Sequence, residues 1–376
     1  MSGPQHVRDE RAPQGRPRKK SPAGPGVRPS SVSSQPTVSS GCADLDRLLG
    51  HQGLPLSSSL LVEESGATDF AAVLMRAFVA QGVVHHRAAS GSPGCHVVVV
   101  GPPADWAKDL PGEYRGSAKD QKKARLARDA SQVSVANLAE RDLKIAWRYG
   151  LSTNAAGAAA GGAARSPDAT GPAGYVSQFD ITQRLVPGAG AQEITFVPVH
   201  TDFAQVAAAV AQVTRRHTRQ GKVVRIAVPG FLSPALYPPQ CSRPTYVVPL
   251  VHSLRGLLAA EPAAVLMMTL ALDLYPRAGL VAHMVETLVD GVVHLQPFNP
   301  DMAALIERAY KNEPAKIQHG LVHVVKVPWL SARGMMMEAA GEYAFKNGRK
   351  KFEIDDWGIP VDDAAEPAAT TQNVDF

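Results

Sequence analysis

Cysteine is scarce. The 376 residues contain three, Cys42, Cys95 and Cys241, widely separated and without a C-x-x-C pair. That excludes a zinc knuckle or a disulfide framework and favours inert thiols in a reducing compartment. Long apolar runs are also missing. Uncharged stretches reach 17 residues at most, and these are interrupted by Pro or Gly, which argues against a membrane span. The N-terminus has no apolar h-region, and its prolines and the Asp9-Glu10 pair make a poor transit helix. These absences lead to the expectation of an intracellular soluble protein.

Several catalytic signatures are absent as well. No H-E-x-x-H or G-x-S-x-G occurs, and Gly188-Ala189-Gly190 lacks the third glycine of a dinucleotide loop. His85 and His86 are adjacent rather than one helical turn apart, so the expectation is a solvated loop pair and no metal site.

What is present is unevenly distributed. Hydrophobic residues make up 45%, enough for a globular core. Residues 1–40 hold seven Lys/Arg against two Asp/Glu, a net of +5 that equals the net charge of the whole chain. The excess positive charge therefore belongs to a tail and not to a basic folded surface. Residues 1–38, with Arg16-Pro17-Arg18-Lys19-Lys20 at their centre, read as a disordered basic arm. Residues 154–174 are Ala/Gly low complexity and read as an unstructured insertion, and residues 355–376 as an acidic disordered tail.

Between them the pattern alternates. Apolar runs predict strands at Ser59–Val62, His96–Val100, Val223–Val228, Ala263–Leu272, Gly291–Leu295 and Leu321–Val327. Helical spacing predicts a turn over Ala43–Leu49 and helices over Phe70–Gln81 (ending at Gly82), Phe203–Arg219 and Val247–Ala260. Leu280–Val289 is ambiguous by period. Strands separated by helices define an α/β fold with a mostly parallel central sheet and helices on both faces.

In such sheets ligands sit at the carboxyl ends of strands. The first strong strand runs into Glu63-Glu64-Ser65-Gly66-Ala67-Thr68-Asp69 and then a helix, the position of a phosphate-binding loop. A working loop reads G-x-x-x-x-G-K-[ST], with amides around phosphate, Lys for charge and a hydroxyl for magnesium. This one keeps a single glycine, Gly66, has no Lys, and starts with two carboxylates that would repel a triphosphate. ATP hydrolysis by this loop alone is not expected. Asp273, after the strongest apolar run, reads as a cap before a magnesium ligand.

The segment Ser40-Gly41-Cys42-Ala43-Asp44-Leu45-Asp46-Arg47-Leu48-Leu49-Gly50, followed by Gly53-Leu54-Pro55, resembles the lead-in to RecA-like ATPase domains. Within that superfamily the chain resembles the family of the fourth Elongator subunit. The resemblance rests on Glu63-Glu64, Ala77–Val83, Lys144-Ile145-Ala146-Trp147-Arg148-Tyr149, Phe179–Arg184, Arg225–Pro229 and Gly320–Val324, in order along residues 38–354. The resemblance implies a RecA-like domain over 39–354 with a degenerate phosphate loop. It also implies a non-catalytic subunit in a heterohexameric ring with the fifth and sixth Elongator subunits, docked on the catalytic subcomplex. Such a ring binds tRNA and supports modification of the wobble uridine at carbon 5, in cytoplasm and nucleus. No cofactor is then expected on this chain alone, and ATP only at ring interfaces. The alternative is an active RecA/KaiC-type ATPase with an atypical loop or with residues shared across an interface, for which Arg148, Arg184, Arg225 and Arg277 are the candidate phosphate contacts. Because the folded body is neutral, tRNA contact would need local basic clusters: Lys119, Lys122, Lys123, Arg125 and Arg128, then Lys346, Arg349, Lys350 and Lys351.

Overall fold

The computed structural model describes residues 26–89, 93–114, 174–329, 341–348 and 350–357. The described residues begin with a small antiparallel sheet of β1 (Val27–Pro29), β2 (Pro36–Val38) and β3 (Leu54–Pro55), with helix α1 (Ala43–Leu48) between its last two strands. Strand β4 (Ser59–Glu64), helix α2 (Phe70–Ala88) and β5 (Cys95–Gly101) follow. A two-stranded ribbon joins β6 (Pro111–Glu113) to β7 (Phe179–Arg184). Then come β8 (Ile194–Pro198), α3 (Phe203–Arg219), β9 (Val223–Val228), α4 (Pro244–Ala260), β10 (Ala264–Ala271), α5 (Leu280–Leu288), β11 (Gly291–Pro297) and α6 (Pro300–Ala309). The described chain finishes with β12 (Gly320–Lys326), β13 (Tyr343–Asn347) and β14 (Phe352–Asp356).

Nine strands form the central sheet in the order β14-β13-β12-β11-β4-β10-β9-β5-β8. The run from β11 to β8 is parallel, and β12, β13 and β14 extend it antiparallel. This is the α/β architecture expected from the sequence. Every residue of β4 and β9 is buried, as parallel strands covered on both faces require. One face packs on α2 through Leu74, Met75 and Phe78, and the other on α3, α4 and α5 through Val210, Leu250 and Val285.

Three expectations need correction and one ambiguity is resolved. Helix α2 does not end at Gly82 but runs through it to Ala88. A Cβ there would lie 2.6 Å from Val97 and 2.8 Å from the Arg225 side chain, so glycine is a packing requirement and not a stop. His85 and His86 consequently sit on that helix, and His85 is buried. The ambiguous 280–289 stretch is helical over Leu280–Leu288. Finally, residues 27–38 are not part of a disordered arm. They form β1 and β2, with Ser30, Thr37 and Val38 buried. Their anchors are polar: Arg28 lies 3.7 Å over the Tyr175 ring, Thr37 bonds the Tyr175 hydroxyl at 3.0 Å, and Ser30 bonds His51 at 2.9 Å. Apolar content alone does not reveal such a segment.

Candidate functional site

Strand β4 carries Glu63 and Glu64 to the carboxyl edge of the sheet, where Ser65–Asp69 turns the chain into α2. Gly66 makes that turn at φ +94°, a backbone region side chains avoid. The carboxylate of Glu64 folds forward over the start of α2. It accepts the amide hydrogens of Phe70 at 3.0 Å and Ala71 at 2.8 Å, and the Thr68 hydroxyl at 2.5 Å. Free amides and the positive end of a helix are what make a phosphate loop attract an anion. Here the protein's own carboxylate takes two of those amides. The sequence indicated the missing lysine; it did not indicate that Glu64 would bind the amides instead of facing a ligand.

Glu63 points to a different neighbourhood. It is fully buried, bonded through Oε2 to Arg277, while its Oε1 has no partner. Arg277 also holds Glu286 at 2.7 Å. Burial pushes the Glu63 carboxyl up to about 7 against the pull of Arg277, and the negative charge of the nearby Glu286 adds to the rise. Beside it on β11, in register with Glu63, His294 bonds the Ser65 hydroxyl at 2.6 Å. Burial and the neighbouring Arg277 push that imidazole down to about 4, so it is neutral at physiological pH. Glu63 and Arg277 are 214 residues apart in sequence, and no local pattern links them.

The lead-in segment has a structural task. Asp46 is buried and accepts from Ser39 Oγ at 2.5 Å and Ser40 N at 2.7 Å. Burial raises its carboxyl to about 6. Gly41, at φ +90°, lets the turn approach α2 so closely that a Cβ would lie 2.4 Å from the Ala77 carbonyl oxygen.

Of the arginines suggested as phosphate contacts across an interface, Arg225 is ruled out by position. It is fully buried, donating to the carbonyls of Ser39 at 2.7 Å and Phe78 at 3.3 Å, with its guanidinium 4.9 Å from the Phe78 ring. His85 lies 3.3 Å away, and burial plus this cation drive its imidazole down to about 3. Arg277 is committed to Glu63 and Glu286. Arg184 is exposed and pairs with Asp109 at 3.0 Å. Arg148, with the 144–149 patch, lies outside the described residues.

The basic cluster of Lys119, Lys122, Lys123, Arg125 and Arg128 and the residue Arg349 also lie outside the described residues. Lys346, Lys350 and Lys351 belong to the β13–β14 hairpin. Lys346 donates to the Pro314 carbonyl at 2.9 Å, Lys350 lies 5.6 Å from the Tyr114 ring, and Lys351 pairs with Glu353.

Fold and loop together define a class: a RecA-like α/β domain whose phosphate-loop position is closed by its own carboxylate. Comparison with known proteins narrows this. The model of the family described as PAXNEB protein matches residues 20–375. Elongator complex protein 4 of Saccharomyces cerevisiae is 41% identical over 370 residues, covering 93% of this chain and 79% of that protein. Proteins of the same name from Schizosaccharomyces pombe and Homo sapiens are 26% and 25% identical over 344 and 362 residues. They cover 89% and 90% of this chain and 88% and 80% of their own lengths. The chain belongs to the PAXNEB family, that of Elongator complex protein 4.

Proposed function

We propose that this chain is a non-catalytic RecA-like subunit of the Elongator complex. In this reading it forms a heterohexameric ring with the fifth and sixth subunits, docks on the catalytic subcomplex, and acts in cytoplasm and nucleus. The ring binds tRNA and supports wobble-uridine modification at carbon 5. The observation that carries the non-catalytic part is the Glu64 carboxylate on the Phe70 and Ala71 amides, in a loop without lysine. The relatives' shared name supports the complex. Any ATP sits at ring interfaces and needs residues from neighbouring subunits.

Purification with a tag on this chain, followed by native mass measurement, tests the assembly. A mixed hexamer with two other RecA-like chains is expected; a lone monomer or a ring of identical copies would reject it. An ATP titration of the isolated chain should show no magnesium-dependent binding, and tight binding would favour the ATPase reading instead. For tRNA, replacing Lys119, Lys122, Lys123, Arg125 and Arg128 by Gln in the assembled ring should weaken binding and flatten its salt dependence. Unchanged affinity and slope would move the contact to Lys346, Arg349, Lys350 and Lys351 or to the partner subunits.

A further inference from the structure

A cleft of about 340 Å³ opens between α2, the helical turn at 104–109 and the β6–β7 ribbon, with Val73, Arg76, Asp109, Ile181, Thr182 and Arg184 on its walls. Arg76 projects from the second turn of α2 and is half-buried, with its guanidinium 5.8 Å from the Trp106 ring. Its Nε is shielded from water and bonded to nothing. Among the described residues Arg76 has neither a hydrogen-bond nor an ion-pair partner. Asp69, on the same helix seven residues earlier, feels its charge but does not bond it. A guanidinium whose Nε is shielded from water and that has only an aromatic ring beside it is incomplete, and an anion completes it.

The second cation on the wall is Arg184. Its Nη2 lies 3.0 Å from Asp109, and both side chains are more than half exposed, so the pair is weakly held and open to exchange. Thr182 and Gln183 on the rim donate to Asp180. The two guanidinium groups therefore come from different elements, Arg76 from the helix and Arg184 from the ribbon. A planar carboxylate is satisfied by a single guanidinium fork. A tetrahedral phosphate presents oxygens in several directions and can be shared by two.

We infer that this cleft is a phosphate-binding site, with Arg76 as the principal contact and Arg184 as the second. A bare phosphate fills only part of the volume, and Val73 and Ile181 line the rest with apolar surface. The ligand that fits is a small phosphate monoester. This inference concerns the single chain and does not rest on ring assembly.

The test is a titration of the full chain with inorganic phosphate and, separately, with adenosine monophosphate, followed by phosphorus resonance broadening and by Tm. Saturable binding of both is expected, tighter for the monoester. Arg76→Gln should weaken both by about tenfold or more, the loss typical for a hydrogen bond to a charged group. Arg184→Gln should weaken them less, because Asp109 already shares that cation. Arg76→Lys keeps the charge without the fork, and its affinity should fall between wild type and Arg76→Gln. That variant also serves as the test if the glutamine variant fails to fold. Absence of saturable binding by either probe would overturn the proposal. So would binding that is unaffected by every substitution at Arg76 and Arg184.

Discussion

Two turns of this molecule are built with the same chemistry and lie at opposite extremes of use. In the lead-in turn, Asp46 accepts from Ser40 N and Ser39 Oγ inside the core. In the loop after β4, Glu64 accepts from Phe70 N and Ala71 N at the sheet edge. Both are buried carboxylates satisfying backbone amides. The first closes a turn inside the core. The second occupies the place where this fold ordinarily holds an anion. The comparison shows that this loop differs from a phosphate loop by more than a missing lysine: two amides at the start of α2 are satisfied from within the chain.

The largest expected effect lies on the core side of that comparison. Arg225→Met should destabilise the domain by about 3–5 kcal/mol, because it removes the donor to two buried carbonyls and leaves Asp46 and its surroundings without a cation. Urea unfolding checks this. A midpoint near that of wild type would mean the lead-in turn holds without its arginine.

Next comes the N-terminal boundary. Deletion through residue 25 should leave stability unchanged, whereas deletion through 37 should cost about 2 kcal/mol by removing the Ser30–His51 and Thr37–Tyr175 hydrogen bonds. Equal thermal midpoints for the two truncations would show that β1 and β2 contribute nothing.

The third prediction concerns Glu63 and pH. Its carboxyl is raised from an ordinary carboxylate value to about 7 in the folded state, so the folded protein holds that proton more tightly than the unfolded chain. The resulting stability is fully present below the unfolded pKa and is lost as pH rises through about 7. Glu63→Gln removes this component. Relative to wild type the variant should gain between about pH 5 and about pH 7, by at most about 1.4 kcal/mol per pH unit. Parallel stability profiles for the two proteins would contradict the raised value.

The smallest effect belongs to the loop itself. Glu64→Ala should cost about 1 kcal/mol, as for loss of a helix N-terminal cap, and should leave ATP hydrolysis at background because no lysine is supplied. A gain of hydrolysis in this variant would make the carboxylate a brake on a working site and erase the distinction between the two turns.

Particular residues show how far the sequence could be read. The central strands were legible because Ser59–Val62, Val223–Val228 and Ala263–Leu272 are short apolar runs, the pattern a doubly covered parallel sheet demands. Strand β8 was not, since an edge strand half open to solvent carries a weaker signal. Read from sequence, the loop started at Glu63, whereas β4 runs on through Glu64 and the turn covers 65–69; its missing lysine was visible. The bond from Glu64 to the start of α2 was not, nor was the burial of His85.

Sequence by itself determined the fold class, through local periodicity, and the lack of a lysine in the loop after β4, through residue types at fixed spacing; the family came from the motifs that carry the resemblance. Tertiary structure alone decided the rest. It placed Arg225 in the core and not at an interface, tied Glu63 to Arg277, drew β1 and β2 onto the body, and left Arg76 facing a cleft without a partner. The physical reason is common to all four. Whether a charge is paired, buried or free depends on which distant segments surround it, and a buried charge is set by those neighbours and not by the residues beside it in the chain.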